Sequence, residues 1–255
     1  MGLQHRDLGG DGPPLVILHG ILGSSRNWQT AGRDLAARHH VLALDLRNHG
    51  GSPHDGEMTY PAMAADVLAW LEARGLERVA LLGHSLGGKV AMLLACRHPE
   101  RVERLIVVDI APRDYAWGGR QRAEFAAMNG LDLGGLRSRA EAEQRLEAQV
   151  PDWAMRKFLV TNLECDGAGR WRWTVGLAAL TEALPALEKN SLRPGDIFAG
   201  AALFITGGKS AYVTAADHAA IRRHFPAARI ETLADCGHNP HMEARAAFVR
   251  LVLAD

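Results

Sequence analysis

The sequence predicts an α/β protein with a mostly parallel central sheet and helices on both faces. Three observations predict it. Short, nearly continuous apolar runs recur at 15–18, 41–44, 79–82, 105–108, 202–205 and 230–233, with helical patterns between them. Such runs read as parallel strands buried on both faces, because a sheet with one wet face alternates apolar and polar residues instead. One junction carries Gly83-His84-Ser85-Leu86-Gly87, set directly between the run Val79-Ala80-Leu81-Leu82 and a helical stretch from Lys89 onward. Finally, the alternation breaks between about 111 and 200, where helical patterns continue without a convincing strand.

Taken in order, residues 1–12 are polar and Gly-containing. Helices are expected at 28–37, 60–74, 86–97, 215–224 and 244–253. The second places Met63, Val67, Trp70 and Leu71 on one stripe, which is the spacing of a core-facing helix. The stretch 112–200 carries Trp117, Trp153, Trp171 and Trp173, four of the six tryptophans, together with Tyr115, Phe125 and Phe158. Helical, aromatic and inserted after a strand's carboxyl end, it reads as a lid over a pocket, because ligands in open α/β sheets bind beyond those ends. The expected organisation is a core of 1–111 with 201–255, and a helical lid of 112–200.

Composition narrows the function. The chain has 255 residues, 47% hydrophobic and 23% charged, which suits a globular protein with a real core. Lys plus Arg and Asp plus Glu both number 29, so no basic field invites nucleic acid or an anionic membrane. No apolar stretch is long enough to span a bilayer, and the first residues lack the basic and apolar regions of a secretory signal. The three cysteines, Cys96, Cys165 and Cys236, have neither disulfide-framework nor zinc spacing and read as small apolar packers. A cytoplasmic location is expected. No His/Asp/Glu group has metal-ligand spacing, and the Gly-rich turns do not follow G-x-G-x-x-G, so neither metal nor dinucleotide cofactor is expected.

A serine between strand and helix, flanked by glycines, is the pattern of a nucleophile elbow. The turn strains Ser85 and lifts its hydroxyl to the tip, and only small neighbours such as Gly83, Gly87 and Gly88 fit around it. A serine needs a base to take its proton, and the base needs a group to orient it. In the sheet-top arrangement the chain order is Ser, acid, His. His238 fits the base: it follows the last strand in Cys236-Gly237-His238-Asn239-Pro240 and precedes the final helix, with Gly237 allowing a sharp turn. His241, its neighbour, is expected to point toward the lid or the final helix.

The acid often follows the next-to-last strand, but that loop, Thr206-Gly207-Gly208-Lys209-Ser210-Ala211-Tyr212, has no carboxylate. One strand earlier, Val107-Val108 runs into Asp109. A carboxylate at the tip of a buried strand is costly unless paired, so Asp109 is the expected acid, ahead of Asp217 and Asp235. The oxyanion hole needs two backbone N–H groups. One is expected from Leu86, the residue after the nucleophile. The other comes from the loop His19-Gly20-Ile21-Leu22, with Ile21 favoured and Leu22 next. Leu22, Tyr115, Trp117 and Trp153 are candidates for the substrate-pocket wall. Asp45-Leu46-Arg47-Asn48-His49-Gly50 reads as a buried polar turn with Arg47 paired to a carboxylate, and Trp28 as a packing residue.

Through His19-Gly20, Gly83-His84-Ser85-Leu86-Gly87-Gly88 and Gly237-His238, the chain resembles the α/β-hydrolase superfamily from about Leu15 onward. It departs from that pattern at the start, where about a dozen residues precede the first central strand, so the family's usual first strand is expected to be missing. Arg47-Asn48-His49-Gly50, Gly88-Lys89 and Val108-Asp109-Ile110-Ala111-Pro112 are similar to a subgroup of small bacterial carboxylesterases related to the abhydrolase-domain-11 type. That resemblance implies an acid after the family's sixth strand, in agreement with Asp109, and hydrolysis of small carboxylic esters of short to medium acyl chain. The same triad is also compatible with a thioester, lactone, amide or C–C bond, or with a cofactor-free perhydrolase. A non-catalytic ligand-binding version of the fold is the remote alternative. Dehalogenase and epoxide hydrolase chemistry would need a carboxylate where Ser85 stands.

Overall fold

The computed structural model describes residues 2–116 and 118–254. In chain order the strands are β1 (His5–Asp7), β2 (Pro14–Leu18), β3 (His40–Leu44), β4 (Val79–His84), β5 (Val102–Val108), β6 (Leu163–Cys165), β7 (Trp171–Trp173), β8 (Ala201–Gly207) and β9 (Ala228–Leu233). The helices are α1 (Gln29–Leu35), α2 (Tyr60–Glu72), α3 (Leu86–Arg97), α4 (Gly118–Gly130), α5 (Arg139–Leu146), α6 (Trp153–Val160), α7 (Leu177–Leu187), α8 (His218–His224), α9 (Pro240–Glu243) and α10 (Arg245–Leu253). A seven-stranded sheet runs in the order β1-β3-β2-β4-β5-β8-β9, and every pair in it but β1–β3 is parallel.

The six apolar runs of the sequence lie in the six parallel strands. Burial on both faces explains the lack of alternation in the five inner ones, whereas β9, at the sheet edge, has no fully buried residue and carries Arg229, Glu231 and Thr232 between its apolar ones. In β2, Leu15 and Ile17 join Trp28, Leu35, Phe248 and Val252 on the face covered by α1 and α10. Val16 and Leu18 point the other way, into the cluster with Met63, Val67, Trp70 and Leu71 of α2 and Val90 and Leu94 of α3. The residues ahead of β2, expected to lack the usual first strand, supply a three-residue antiparallel edge strand, with His5 opposite Leu44 and Asp7 opposite Leu42. Its residues are His, Arg and Asp, so hydrophobic periodicity carries no sign of it.

The chain leaves the sheet after β5 and returns at β8. Helices α4 to α7 fill the excursion, as the helical patterns predict, but a short antiparallel hairpin, β6–β7, interrupts them. Trp171 and Trp173 of the hairpin are half-buried against the core cluster. Two tryptophans alternating with arginine in a three-residue strand are too short a pattern to separate from a helical turn.

Two contacts fasten the end of the excursion to the core, and a third ties its end to its start. Tyr60 Oη donates to Leu187 O at 2.5 Å, Tyr115 N to Glu188 O at 2.6 Å, and Lys89 Nζ to Lys189 O at 2.5 Å. Lys89 is fully buried on α3, one turn beyond Ser85. Its ammonium lies 4.9 Å from the centre of the Tyr115 ring and 5.4 Å from that of Tyr60. A buried ammonium loses water that two ring faces and one carbonyl only partly replace. Desolvation, opposed by Asp114 and reinforced by Arg113, therefore pulls its pKa from 10.5 to about 7. Since the folded value lies below the unfolded one, the unfolded chain alone holds the proton between the two, and stability rises with pH across that window. Relative to Lys89→Met, the unsubstituted chain should gain about 3 kcal/mol between pH 7 and pH 9.5 in urea-unfolding midpoints, with the difference flat below pH 7. A difference independent of pH would show that Lys89 is charged in the folded state throughout.

Candidate active site

Ser85 joins β4 to α3 at φ 51°, ψ −116°, a conformation a residue with a Cβ rarely adopts. The bend needs its glycines. A Cβ on Gly83 would lie 2.3 Å from the Gly87 carbonyl oxygen, and one on Gly87 2.5 Å from the carbonyl oxygens of Leu18 and His19. The Ser85 N–H donates to Val108 O at 3.0 Å, which ties the elbow to the end of β5. At the start of α3 the Gly87 N–H donates to His19 O at 3.1 Å, and the Leu86 N–H has no carbonyl one turn back to bond.

Asp109 follows β5 directly and is completely buried, with φ 49°. Its carboxylate is satisfied on both oxygens. Oδ1 accepts the Gly207 N–H at 3.0 Å, and Oδ2 accepts the Ser210 hydroxyl and faces His238 Nδ1 at 2.8 Å. Both bonds from the β8 side come from the loop that lacks a carboxylate, so that loop supports an acid supplied by its neighbour. Nothing in the sequence pointed to Ser210 except the missing carboxylate itself. The other two acids lie elsewhere: Asp217 pairs with Arg113 at 2.8 Å and caps Thr214, and Asp235 is exposed near Lys209.

His238 arrives on the loop between β9 and α9. The Glu243 carboxylate braces that loop by accepting the N–H groups of Gly237 at 2.6 Å and Asn239 at 3.0 Å. His84 Nε2 donates to the His238 carbonyl at 2.8 Å, so the residue beside Ser85 holds the loop against the elbow. The Tyr212 ring stacks on the His238 ring, with centroids 3.8 Å apart and planes 19° apart. Asp109 and His238 are therefore in direct contact, and Ser85 adjoins them through His84. Among the described residues, no hydrogen bond joins the Ser85 hydroxyl to the imidazole. His241 is buried and stacks on Trp28, 4.1 Å between centroids, facing the α10 side as expected.

The loop after β2 is held by two buried imidazoles. His19 Nδ1 donates to Gly20 O at 2.8 Å, leaving Nε2 to accept the Leu46 N–H at 3.0 Å. His49 Nδ1 donates to Arg47 O at 2.9 Å, leaving Nε2 to accept the Leu22 N–H at 3.1 Å. Both rings must be neutral to accept. Desolvation, followed by His19, pushes the His49 pKa down to about 3, and desolvation lowers His19 against the pull of Asp45. The Leu22 N–H is thereby committed to His49. Gly20 lies against the elbow, since a Cβ there would sit 2.9 Å from His84 Nδ1 and 3.3 Å from Ser85 Cβ. The turn after β3 is the expected buried one: Arg47 Nε bonds Asp66 Oδ2 at 2.6 Å, and its Nη1 bonds Glu57 O at 2.7 Å.

The proposed wall residues are spread out. Leu22 is buried in the loop just described. Tyr115 is buried with its hydroxyl in use, donating to Tyr212 O at 2.7 Å and accepting the Ala111 N–H at 2.9 Å, and its ring lies 5.7 Å from that of Tyr212. It thus stands one ring behind the residue that covers His238. Trp153 is 62% exposed on α6, under the Lys157 ammonium. Trp117 lies outside the described residues. No group of three His, Cys, Asp or Glu among the described residues is arranged to hold a metal ion.

Residues 13–245 match the alpha/beta hydrolase fold family. The chain is 37% identical over 258 residues to the sn-1-specific diacylglycerol lipase ABHD11 of Mus musculus, covering 98% of this chain and 83% of that protein. It is 34% identical over 239 residues to Esterase YbfF of Escherichia coli, covering 94% and 91%. A solved marine microorganism esterase superposes with a TM-score of 0.96 at 32% identity, over 100% of this chain and 99% of the other. The chain belongs to the α/β-hydrolase family, on a branch related to ABHD11 and YbfF.

Proposed function

We propose that the protein is a serine carboxylesterase that cleaves small esters of short to medium acyl chain through an acyl-enzyme. The observation that carries this reading is a buried carboxylate bonded to an imidazole beside a strained serine at a strand–helix bend. With His238 Nδ1 committed to Asp109, Nε2 is the nitrogen left to take the Ser85 proton, and that contact tightens when substrate fills the site. Ser85 attacks the acyl carbon, and Asp109 stabilises the imidazolium that forms. The Leu86 and Ile21 N–H groups receive the oxyanion. His238 protonates the departing alcohol, and water repeats the sequence on the acyl-enzyme. The excursion 112–200 acts as the lid, and 1–111 with 201–255 as the core. The three unpaired cysteines suit a reducing cytoplasm. No helix among the described residues is long and apolar enough to cross a membrane.

A second reading, cleavage of acylglycerol esters, is favoured by the relatives named sn-1-specific diacylglycerol lipase. The two readings differ in acyl length.

Ser85→Ala should abolish p-nitrophenyl acetate hydrolysis and fluorophosphonate labelling together, and normal turnover by that variant would eliminate the scheme. Asp109→Asn should lower kcat by about 10³–10⁴-fold. Asp217→Asn should stay within about threefold, because its carboxylate serves Arg113 and Thr214; the reverse order would move the acid. In a panel of p-nitrophenyl esters and matching thioesters, acetate, butyrate and octanoate should exceed palmitate in kcat/KM, and oxygen esters should exceed thioesters. A palmitate preference would favour the acylglycerol reading.

A further inference from the structure

We propose that Asn162, on the lid, is a positioning residue that fixes the oxyanion-hole loop of the core. The inference rests on the esterase reading above and adds to it a link between lid and chemistry. Asn162 lies between α6 and β6 and is buried. Its Nδ2 donates to the Leu22 carbonyl at 2.9 Å, across 140 residues of chain. The Asn162 backbone is fixed separately: its N–H bonds Leu159 O at 3.1 Å, and its carbonyl accepts the Thr174 N–H at 2.7 Å and the Thr174 hydroxyl at 3.1 Å.

Leu22 is the unusual partner. Its φ of 57° lies in the left-handed region, where a leucine is strained. Such a conformation persists only where the surroundings over-determine it, and here both sides of the residue are gripped. His49 Nε2 accepts the Leu22 N–H from the core, and Asn162 Nδ2 donates to the Leu22 carbonyl from the lid. The turn is closed by Gly23 N–H to Gly20 O at 2.9 Å. Were Leu22 to relax to negative φ, the Ile21–Leu22 peptide would rotate about the Leu22 N–Cα bond, and the displacement passed back through Ile21 would shift the Gly20–Ile21 peptide, whose N–H is that of Ile21. Beside the contact runs a crevice of about 500 Å³, with Ser24, Arg26 and Asn27 on the core wall and Arg139, Lys157 and Thr161 on the lid wall. Asn162 spans the same boundary, where the lid reaches the loop that receives developing charge. An oxyanion donor matters in the transition state and little in the ground state, so loss of Asn162 should fall on kcat and spare KM.

The test uses the full chain with Asn162→Ala and Asn162→Asp. The second keeps the volume while placing an acceptor where Leu22 needs a donor, and it serves if the alanine variant does not fold. Hydrolysis of p-nitrophenyl acetate is measured alongside binding of an aryl trifluoromethyl ketone, which forms a tetrahedral oxyanion on the serine, and of the matching methyl ketone, which does not. The expected result is a fall in kcat of about 100-fold with KM within about threefold. Trifluoromethyl ketone affinity should fall by the same factor, methyl ketone affinity should be unchanged, and the pH profile should not move. Unchanged kcat, a loss confined to KM, or a kcat loss without loss of trifluoromethyl ketone affinity would overturn the proposal. The unsubstituted chain is the control. If it neither cleaves the ester nor prefers the trifluoromethyl ketone, the esterase reading falls; if it does both and the variants match it, the role of Asn162 alone falls.

Discussion

A carboxylate with no access to water is the constraint around which the site is built. Without partners, a carboxylate buried there would be far too costly. Asp109 meets three donors from three places: the Gly207 N–H at the end of β8, the Ser210 hydroxyl in the following loop and the His238 imidazole from the loop after β9. Meeting its hydrogen-bonding needs therefore gathers the carboxyl ends of adjacent parallel strands into one point. The same ends position Ser85, whose N–H bonds the last carbonyl of β5. Stability and geometry here have a common cause.

Burial also sorts the histidines. His19, His49, His84 and His241 are buried, and desolvation lowers the pKa of each, with neighbouring imidazoles adding to the effect at His49, His84 and His241. Neutral rings can accept or donate in fixed directions, and His19, His49 and His84 do so toward the backbone of the loops after β3, β2 and β9. His238 differs in having a carboxylate partner and a side chain about a quarter exposed. Burial thus holds the four rings around it neutral, as fixed donors and acceptors.

What the sequence made legible follows from how each feature arises. Strands buried on both faces leave continuous apolar runs, so the parallel sheet was readable, whereas β1 and the β6–β7 hairpin are three residues long and polar or aromatic, with no period to detect. Asp109 was readable because a charged residue ending an apolar strand demands partners. Its partner Ser210 was not, since that serine occupies a loop whose composition is ordinary and whose role comes from facing a different strand. That the Leu22 N–H is engaged, which bears on the choice between Ile21 and Leu22, is visible only in three dimensions, where His49 takes it. Asn162 lay beyond any sequence signal, because a single buried amide carries no pattern and its partner is 140 residues away.

The distribution of backbone strain ties these points together. Among the described residues, the non-glycine positions at positive φ are Leu22, Asn48, Ser85 and Asp109, and all four sit on loops at the carboxyl ends of the central strands. Strain of this kind survives where surrounding structure leaves no alternative. For Ser85 and Asp109 the core supplies that enclosure, through Val108, Gly207 and Ser210. For the other two the excursion contributes. Asn162 bonds the Leu22 carbonyl, and the Gly176 N–H at the start of α7 bonds the Asn48 carbonyl at 2.9 Å. Gly176 meets Asn48 so closely that a Cβ there would fall 2.4 Å from Asn48 Oδ1. The segment between β5 and β8 thus touches the two core loops at their strained residues, where a small displacement of backbone is costly in either direction. A segment attached in that way cannot shift without disturbing the backbone that faces Ser85.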